Sequence, residues 1–280
     1  MVSPQKIKYN GVFSDVGFGA LEIILDVAFD SDNGSTSSYL NRSAVASESH
    51  DGRYKNTQKY KYDELFSPQF TIVKKDFSEF TQDEVRQVLK YLTITDKPAL
   101  LEVYYDGASN AVDWACIGGW TNIETHKIAN SRTVGIVAQF EAITPYAMSD
   151  LYTIPKTITS TDNKITINID TDDNQPVYPR ITIQQKGTAG DIKITNRHYD
   201  VFNQPSTPVI TTVKNNGQTE KIVLDGANRI ISSSNTKRIF GDDFVNWTWL
   251  PLYDGKNEIT VEGNCKVTFE YREVRKVGEW

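Results

Sequence analysis

Apolar residues recur at every second position through the last part of the chain, and this pattern limits the fold more than any other feature. In Lys164–Asp170, Ile165, Ile167 and Ile169 alternate with polar residues. The period repeats at Ile181 and Ile183, Ile192 and Ile194, Ile222 and Leu224, Ile259 and Val261, and Val267, Phe269 and Tyr271. Successive side chains of a strand point to opposite faces, so each run specifies a strand with one buried and one solvated face. The turn dipeptides Asn216-Gly217, Asp225-Gly226 and Asp254-Gly255 punctuate the runs. Short half-buried strands arranged this way predict an antiparallel sandwich, and no useful helical period follows residue 155.

The first 150 residues are different. Leu21–Phe29 and Ser67–Lys74 are expected strands, the second with Phe70 and Ile72 on one face. Between them, Asp30–Ser49 has almost no large apolar residues and cannot bury enough surface to order itself. It is expected to be a long loop, an arm or a flexible hairpin. Arg53–Tyr62 follows, polar and rich in tyrosine. One helix is expected over Gln82–Leu92. Thr81 is its N-cap, Glu84 completes a capping box, and Phe80 and Val85 form a hydrophobic staple. Val85, Val88, Leu89 and Leu92 share a face, and Pro98 lies beyond the end. Leu100–Tyr105, Ala115–Trp120 and Thr133–Ile143 are further strands, with a turn at Asp106-Gly107. Tyr146–Pro155 is the expected boundary, giving domains at 1–150 and 151–280. The fold class is thus α+β to all-β: a β-rich N-terminal domain with one helix, then an antiparallel sandwich.

The 280 residues carry 30 basic and 36 acidic side chains, a net charge of −6. This disfavours binding to duplex nucleic acid over a broad surface. No apolar run approaches secretory or membrane-spanning length, so a soluble protein without membrane contact is expected. Two distant cysteines, Cys116 and Cys265, make no disulfide framework and fit free thiols in a reducing compartment.

No catalytic pattern stands out. His50, His126 and His198 lack partners at metal spacing. Nucleophile-elbow and phosphate-loop motifs are absent, and Gly17 and Gly19 make only an incomplete dinucleotide fingerprint. Asp170–Asn174 and Asp30–Gly34 miss the glycine position and the terminal Glu of a calcium loop, and are expected to be solvated turns. The adjacent Asp242 and Asp243 suit a loop. Neither metal nor cofactor is expected. Two surfaces are candidates for binding. Trp247 and Trp249 would share a face if Val245–Leu250 were a strand, making either ordinary core or a platform for cell-wall glycans. Arg42, Arg53, Tyr54, Tyr60 and Tyr62 carry the residue types favoured in protein interfaces, and suit an arm wrapping a neighbouring subunit.

The order of these elements resembles the distal tail protein family of long, flexible-tailed bacteriophages. The resemblance runs through Ser67–Leu92, Leu100–Asp106, Phe140–Ala147 and Gly241–Trp280. It includes a pattern of Leu252, Gly255, Asn257, Ile259, Val261 and Gly263 followed by the aromatic strand Val267–Arg272. The resemblance implies a non-enzymatic structural protein of the virion tail tip, assembled in the host bacterial cytoplasm. It implies a homo-hexameric ring formed by the N-terminal domain, with an arm at about 30–62, and a galectin-like C-terminal sandwich. The implied partners are the tail tube protein, the tail-tip hub and receptor-binding or baseplate proteins. The alternative is a sandwich module that recognises host glycans through Trp247 and Trp249.

Overall fold

The computed structural model describes the chain except residues 1–2, 20, 29–41, 49–54, 63–64, 107–110, 129–131, 174, 201–203, 239, 242–244 and 278–280. For the strand pair within 42–62 it describes the backbone pairing only. Two compact units emerge: Met1–Asp150 with Arg275–Trp280, and Leu151–Val274.

The first unit contains β1 (Lys6–Tyr9), β2 (Val12–Phe13), α1 (Ser14–Gly17), β3 (Ile23–Ala28), β4 (Arg42–Glu48), β5 (Lys55–Tyr62), β6 (Gln69–Lys74), α2 (Gln82–Leu92), β7 (Ala99–Tyr104), β8 (Trp114–Ile128), β9 (Arg132–Ala142) and β10 (Ala147–Met148). Its main sheet runs β2-β1-β7-β8-β9-β6-β3, and β10 attaches to β8. The expected helix forms over the expected residues. The Thr81 side chain accepts from the Glu84 N–H at 3.3 Å, while the Glu84 carboxylate accepts from the Thr81 N–H at 2.7 Å. Val88, Tyr91 and Leu92 are the buried face of α2. They meet Ile7, Tyr9, Phe70, Trp114 and Phe140 in one core. A second helix, α1, spans only four residues, too few for a period to show.

Strand β8 extends well past the expected Trp120. Its distal residues are polar and largely exposed, so pairing with β9 rather than burial orders them, down to Ile128 opposite Arg132. Register shifts at Thr121/Glu124 and His126/Lys127 mark bulges, and Asn122 takes a left-handed φ of 46° at the first.

The second unit contains β11 (Tyr152–Thr157), β12 (Lys164–Ile169), β13 (Arg180–Gln185), β14 (Gly190–Tyr199), β15 (Val209–Asn216), β16 (Lys221–Asp225), β17 (Ile230–Ser233), β18 (Gly255–Glu262) and β19 (Cys265–Tyr271). Two antiparallel sheets, β11-β19-β13-β16-β17 and β12-β18-β14-β15, share one core of Ile, Val and Leu. The alternation is realised in full: β12 buries Ile165, Ile167 and Ile169 and exposes the residues between them. Pro155 lies in β11, at a sheet edge where a missing N–H is tolerated. After β19 the chain returns to the first unit's sheet, where β20 (Val274–Arg275) pairs with β10.

Candidate functional site

Three of the arm candidates, Arg42, Tyr60 and Tyr62, fall on a separate β-ribbon. Strands β4 and β5 pair antiparallel, with Arg42 opposite Tyr62 and Ala44 opposite Tyr60, and a register shift at Val45/Ala46. The ribbon joins none of the three larger sheets in the strand order. A lone two-stranded ribbon is marginal in water. Of Asp30–Ser49, expected to be a long loop, an arm or a flexible hairpin, only 42–48 is described, as the strand β4. Arg53 and Tyr54, and residues 30–41 of the arm, lie outside the described residues.

The tryptophan pair is not arranged as a strand would arrange it, which corrects the expectation for Val245–Leu250. Only Val245 pairs, as an isolated bridge to Val213. The next residue, Asn246, still donates its backbone N–H to the Thr212 carbonyl at 3.2 Å. The Asn246 side chain accepts from the Thr212 N–H at 3.0 Å and donates to the Ile210 carbonyl at 2.8 Å. A side-chain amide thus bonds β15 beside the backbone N–H, and no strand pairing continues beyond it. Trp247 then adopts φ 54° and leaves its side chain 46% exposed. Trp249 instead packs against the sandwich core, and the Arg229 guanidinium lies 5.5 Å from its ring and 4.0 Å from that of Tyr178.

The residues quoted for the family pattern have structural duties. Leu252, Ile259 and Val261 are fully buried. Gly255 has φ 87° and Gly263 φ 119°, a left-handed region that L side chains rarely adopt. Asn257, fully buried, accepts from the Tyr253 N–H at 3.0 Å and donates to the Tyr253 and Gly255 carbonyls at 2.7 and 3.1 Å. It also accepts from Asn196, whose amide reaches the Pro251 carbonyl at 2.7 Å. Asn257 therefore satisfies the backbone of the turn that launches β18, a role a hydrophobic residue could not fill.

Among the described residues, no group of three His, Cys, Asp or Glu side chains is placed to hold a metal ion. Cys116 and Cys265 are free and buried. Desolvation pushes the Cys116 thiol well above its usual range and the Cys265 thiol up to about 11, so neither is a reactive thiolate at neutral pH. His198 is held at 2.6 Å from the Asp254 carbonyl and lies against the Tyr253 ring, a turn-fixing role. The Asp170 turn is fixed by protein groups: the Glu273 carboxylate accepts from the Asp170 N–H, and Asp254 from the Thr171 N–H. His50, Asp30–Gly34 and Asp242-Asp243 lie wholly or partly outside the described residues.

Comparison with known proteins places this architecture. A family model of a phage tail protein N-terminal domain matches residues 6–144, and one of a phage tail C-terminal domain matches residues 146–271. The chain belongs to this phage tail protein family. No curated protein matches it by sequence. Among solved structures it has the fold of phage SPP1 Dit, described as a paradigm of the hub adsorption apparatus in phages infecting Gram-positive bacteria. That match has a TM-score of 0.60 at 10% identity and covers 95% of this chain and 98% of that one. Two baseplate chains of phage P2, in activated conformations with Ca and with Sr, match with TM-scores of 0.47. They are 10% and 13% identical, cover 98% and 97% of this chain, and are themselves covered to 98% and 97%. The distal-tail resemblance read from the residues therefore agrees with the fold.

Proposed function

We propose that this tail protein is a non-enzymatic ring subunit of the tail tip. Six copies of the N-terminal unit (1–150) would close a ring that continues the tail tube, and the galectin-like C-terminal unit (151–280) would project from it. The ring would join the tail tube protein to the tail-tip hub and anchor the baseplate or receptor-binding proteins that adsorb to the host, after assembly in the bacterial cytoplasm. The observation that carries this reading is the match of both halves, in order, to phage tail domains, together with a distal-tail fold spanning nearly the whole chain. The β4–β5 ribbon supports it as the subunit-bridging arm, because a two-stranded ribbon gains most from a partner.

Light scattering of the purified chain over a range of concentrations tests the ring. The expected result is a species of six times the 31.6 kDa chain, or of twelve for stacked rings. Deleting residues 42–62 should then shift it to monomer without unfolding the core. A monomer at every concentration, also in the presence of tail tube protein, would overturn the reading.

A further inference from the structure

The solvated face of the four-stranded sheet carries a concavity of about 260 Å3 lined by Lys164, Thr166, Thr195, Arg197, Glu258 and Thr260, with Ile165 and Ile259 at its floor. Pairing register makes a grid of these side chains. One row runs Lys164, Thr260, Thr195 across β12, β18 and β14; the next runs Thr166, Glu258, Arg197. Neighbouring strands lie about 4.8 Å apart and same-face residues on one strand about 6.8 Å apart, so the polar groups repeat at roughly the span of a sugar ring.

The charges in the grid are unbalanced. Glu258 is already engaged: Lys256 lies 2.7 Å from one carboxylate oxygen and the Tyr199 hydroxyl 2.9 Å from the other. Lys193, beside the grid on β14, is taken by Glu262 at 3.3 Å. Arg197 lies opposite Glu258 in register, yet its guanidinium makes no ion pair or hydrogen bond among the described residues. Lys164 adds only a longer-range pull on Glu258. Two exposed cations thus flank three hydroxyls on a chain whose net charge is −6. The isoleucines of the floor point their side chains into the core, so the concavity has no pocket for the apolar anchor that protein partners use. The ring of Tyr199, beside it on β14, has Lys256 over one face at 5.0 Å.

We propose that this face binds an acidic saccharide or polyol, with Arg197 and Lys164 meeting its anionic groups and Thr166, Thr195 and Thr260 its hydroxyls. The proposal does not depend on ring formation. Isothermal titration of the full chain with three probes of matched length tests it: a glycerol-phosphate oligomer, an oligogalacturonate and a neutral galacto-oligosaccharide. One or both anionic probes should bind at least tenfold more tightly than the neutral one, and added salt should weaken them. Binding of the first alone assigns a phosphodiester ligand; binding of the second alone, a carboxylated one. Arg197→Ala and Lys164→Ala should each lose at least tenfold. Arg180→Ala, which removes an exposed cation from the other sheet, should leave binding unchanged. Absence of binding by both anionic probes, equal binding of the neutral probe, or equal loss in Arg180→Ala would overturn the proposal. A change of oligomeric mass in Arg197→Ala would reassign the face to a protein interface.

Discussion

The two units of this phage tail protein hold together with different cores. The first is built of rings. Tyr9 meets Tyr91, Trp120 and Phe140 edge to face at 5.9–6.5 Å, and Trp120 meets Phe70 and Phe140 at 5.1 Å each. The second is aliphatic, with Phe269 and Tyr271 the only aromatics among its buried members within the described residues. Edge-to-face rings fill the irregular space between a sheet and a single helix, whereas stiff β-branched side chains suit two pleated sheets. The difference teaches where each unit is vulnerable: in the first at single large side chains, in the second at backbone positions where the sheets turn.

The sharpest break of this contrast is Phe140→Ala. It removes a fully buried ring on which both Tyr9 and Trp120 pack. Denaturant unfolding followed by tryptophan fluorescence should show a loss of about 3–5 kcal/mol. Ile194→Val in the aliphatic core should lose only about 0.5–1.5 kcal/mol. Similar losses from the two substitutions would erase the distinction.

In the sandwich the corresponding weak point is Gly263. At φ 119° a Cβ would lie 2.8 Å from the Asp191 carbonyl oxygen and collide with the Ile192 side chain. Gly263→Ala should therefore cost about 3 kcal/mol, the sum of backbone strain and overpacking. Gly11→Ala in the first unit shares the left-handed backbone, φ 79°, but meets open space. Strain alone should cost about 1 kcal/mol there. Thermal melts of the two variants separate the contributions.

A third prediction concerns the one deeply buried ion pair of the sandwich among the described residues. Glu220 is 5% exposed, and its burial favours the neutral acid. The Arg238 guanidinium, the Ser233 hydroxyl and the Gly217 N–H overcome that and hold the carboxyl at about 2, below its usual 4.5. A carboxyl depressed on folding stabilises above its unfolded pKa. Its contribution falls away as pH drops from about 5 towards 2, where the folded form takes up its proton. Glu220→Gln should lose about 2 kcal/mol at pH 7 and flatten the stability profile across that window. An unchanged profile would mean that another carboxylate governs acid unfolding.

These differences also explain what was legible in advance. The sandwich is periodic, so its core residues could be read from spacing alone. The ring core is not: Tyr9 on β1, Phe18 just after α1, Phe66 before β6 and Tyr91 on α2 join it at no fixed interval. The failed strand at Val245–Leu250 has a local mark: pairing stops where the Asn246 side chain bonds β15 beside its own N–H and Trp247 turns to a φ of 54°. The outer-face grid of Lys164, Thr195, Arg197 and Glu258 escaped notice for another reason. Alternation says that each residue faces outward, but only strand order and register say which of them are neighbours. The tyrosine-rich segment was legible as polar; under the proposed ring its partner would lie in another chain, which one sequence cannot place.

The helix offers the smallest and most local test of the comparison. Only the first unit relies on a helix of more than one turn among the described residues, and α2 begins at a reciprocal cap between Thr81 and Glu84. Lys74 reinforces it, with its ammonium 3.1 Å from the Glu84 carboxylate, so the cap also ties the helix start to β6. Thr81→Ala removes the acceptor for the Glu84 N–H but leaves that ion pair in place. The expected loss is about 1 kcal/mol, against a few tenths for Thr81→Gly. Hydrogen exchange should report the change at the first turn of α2 and leave the amides of β12 and β18 as slow as before. If protection fell equally in both units, they would unfold as one cooperative body, and the separate behaviour of the two cores would have to be abandoned.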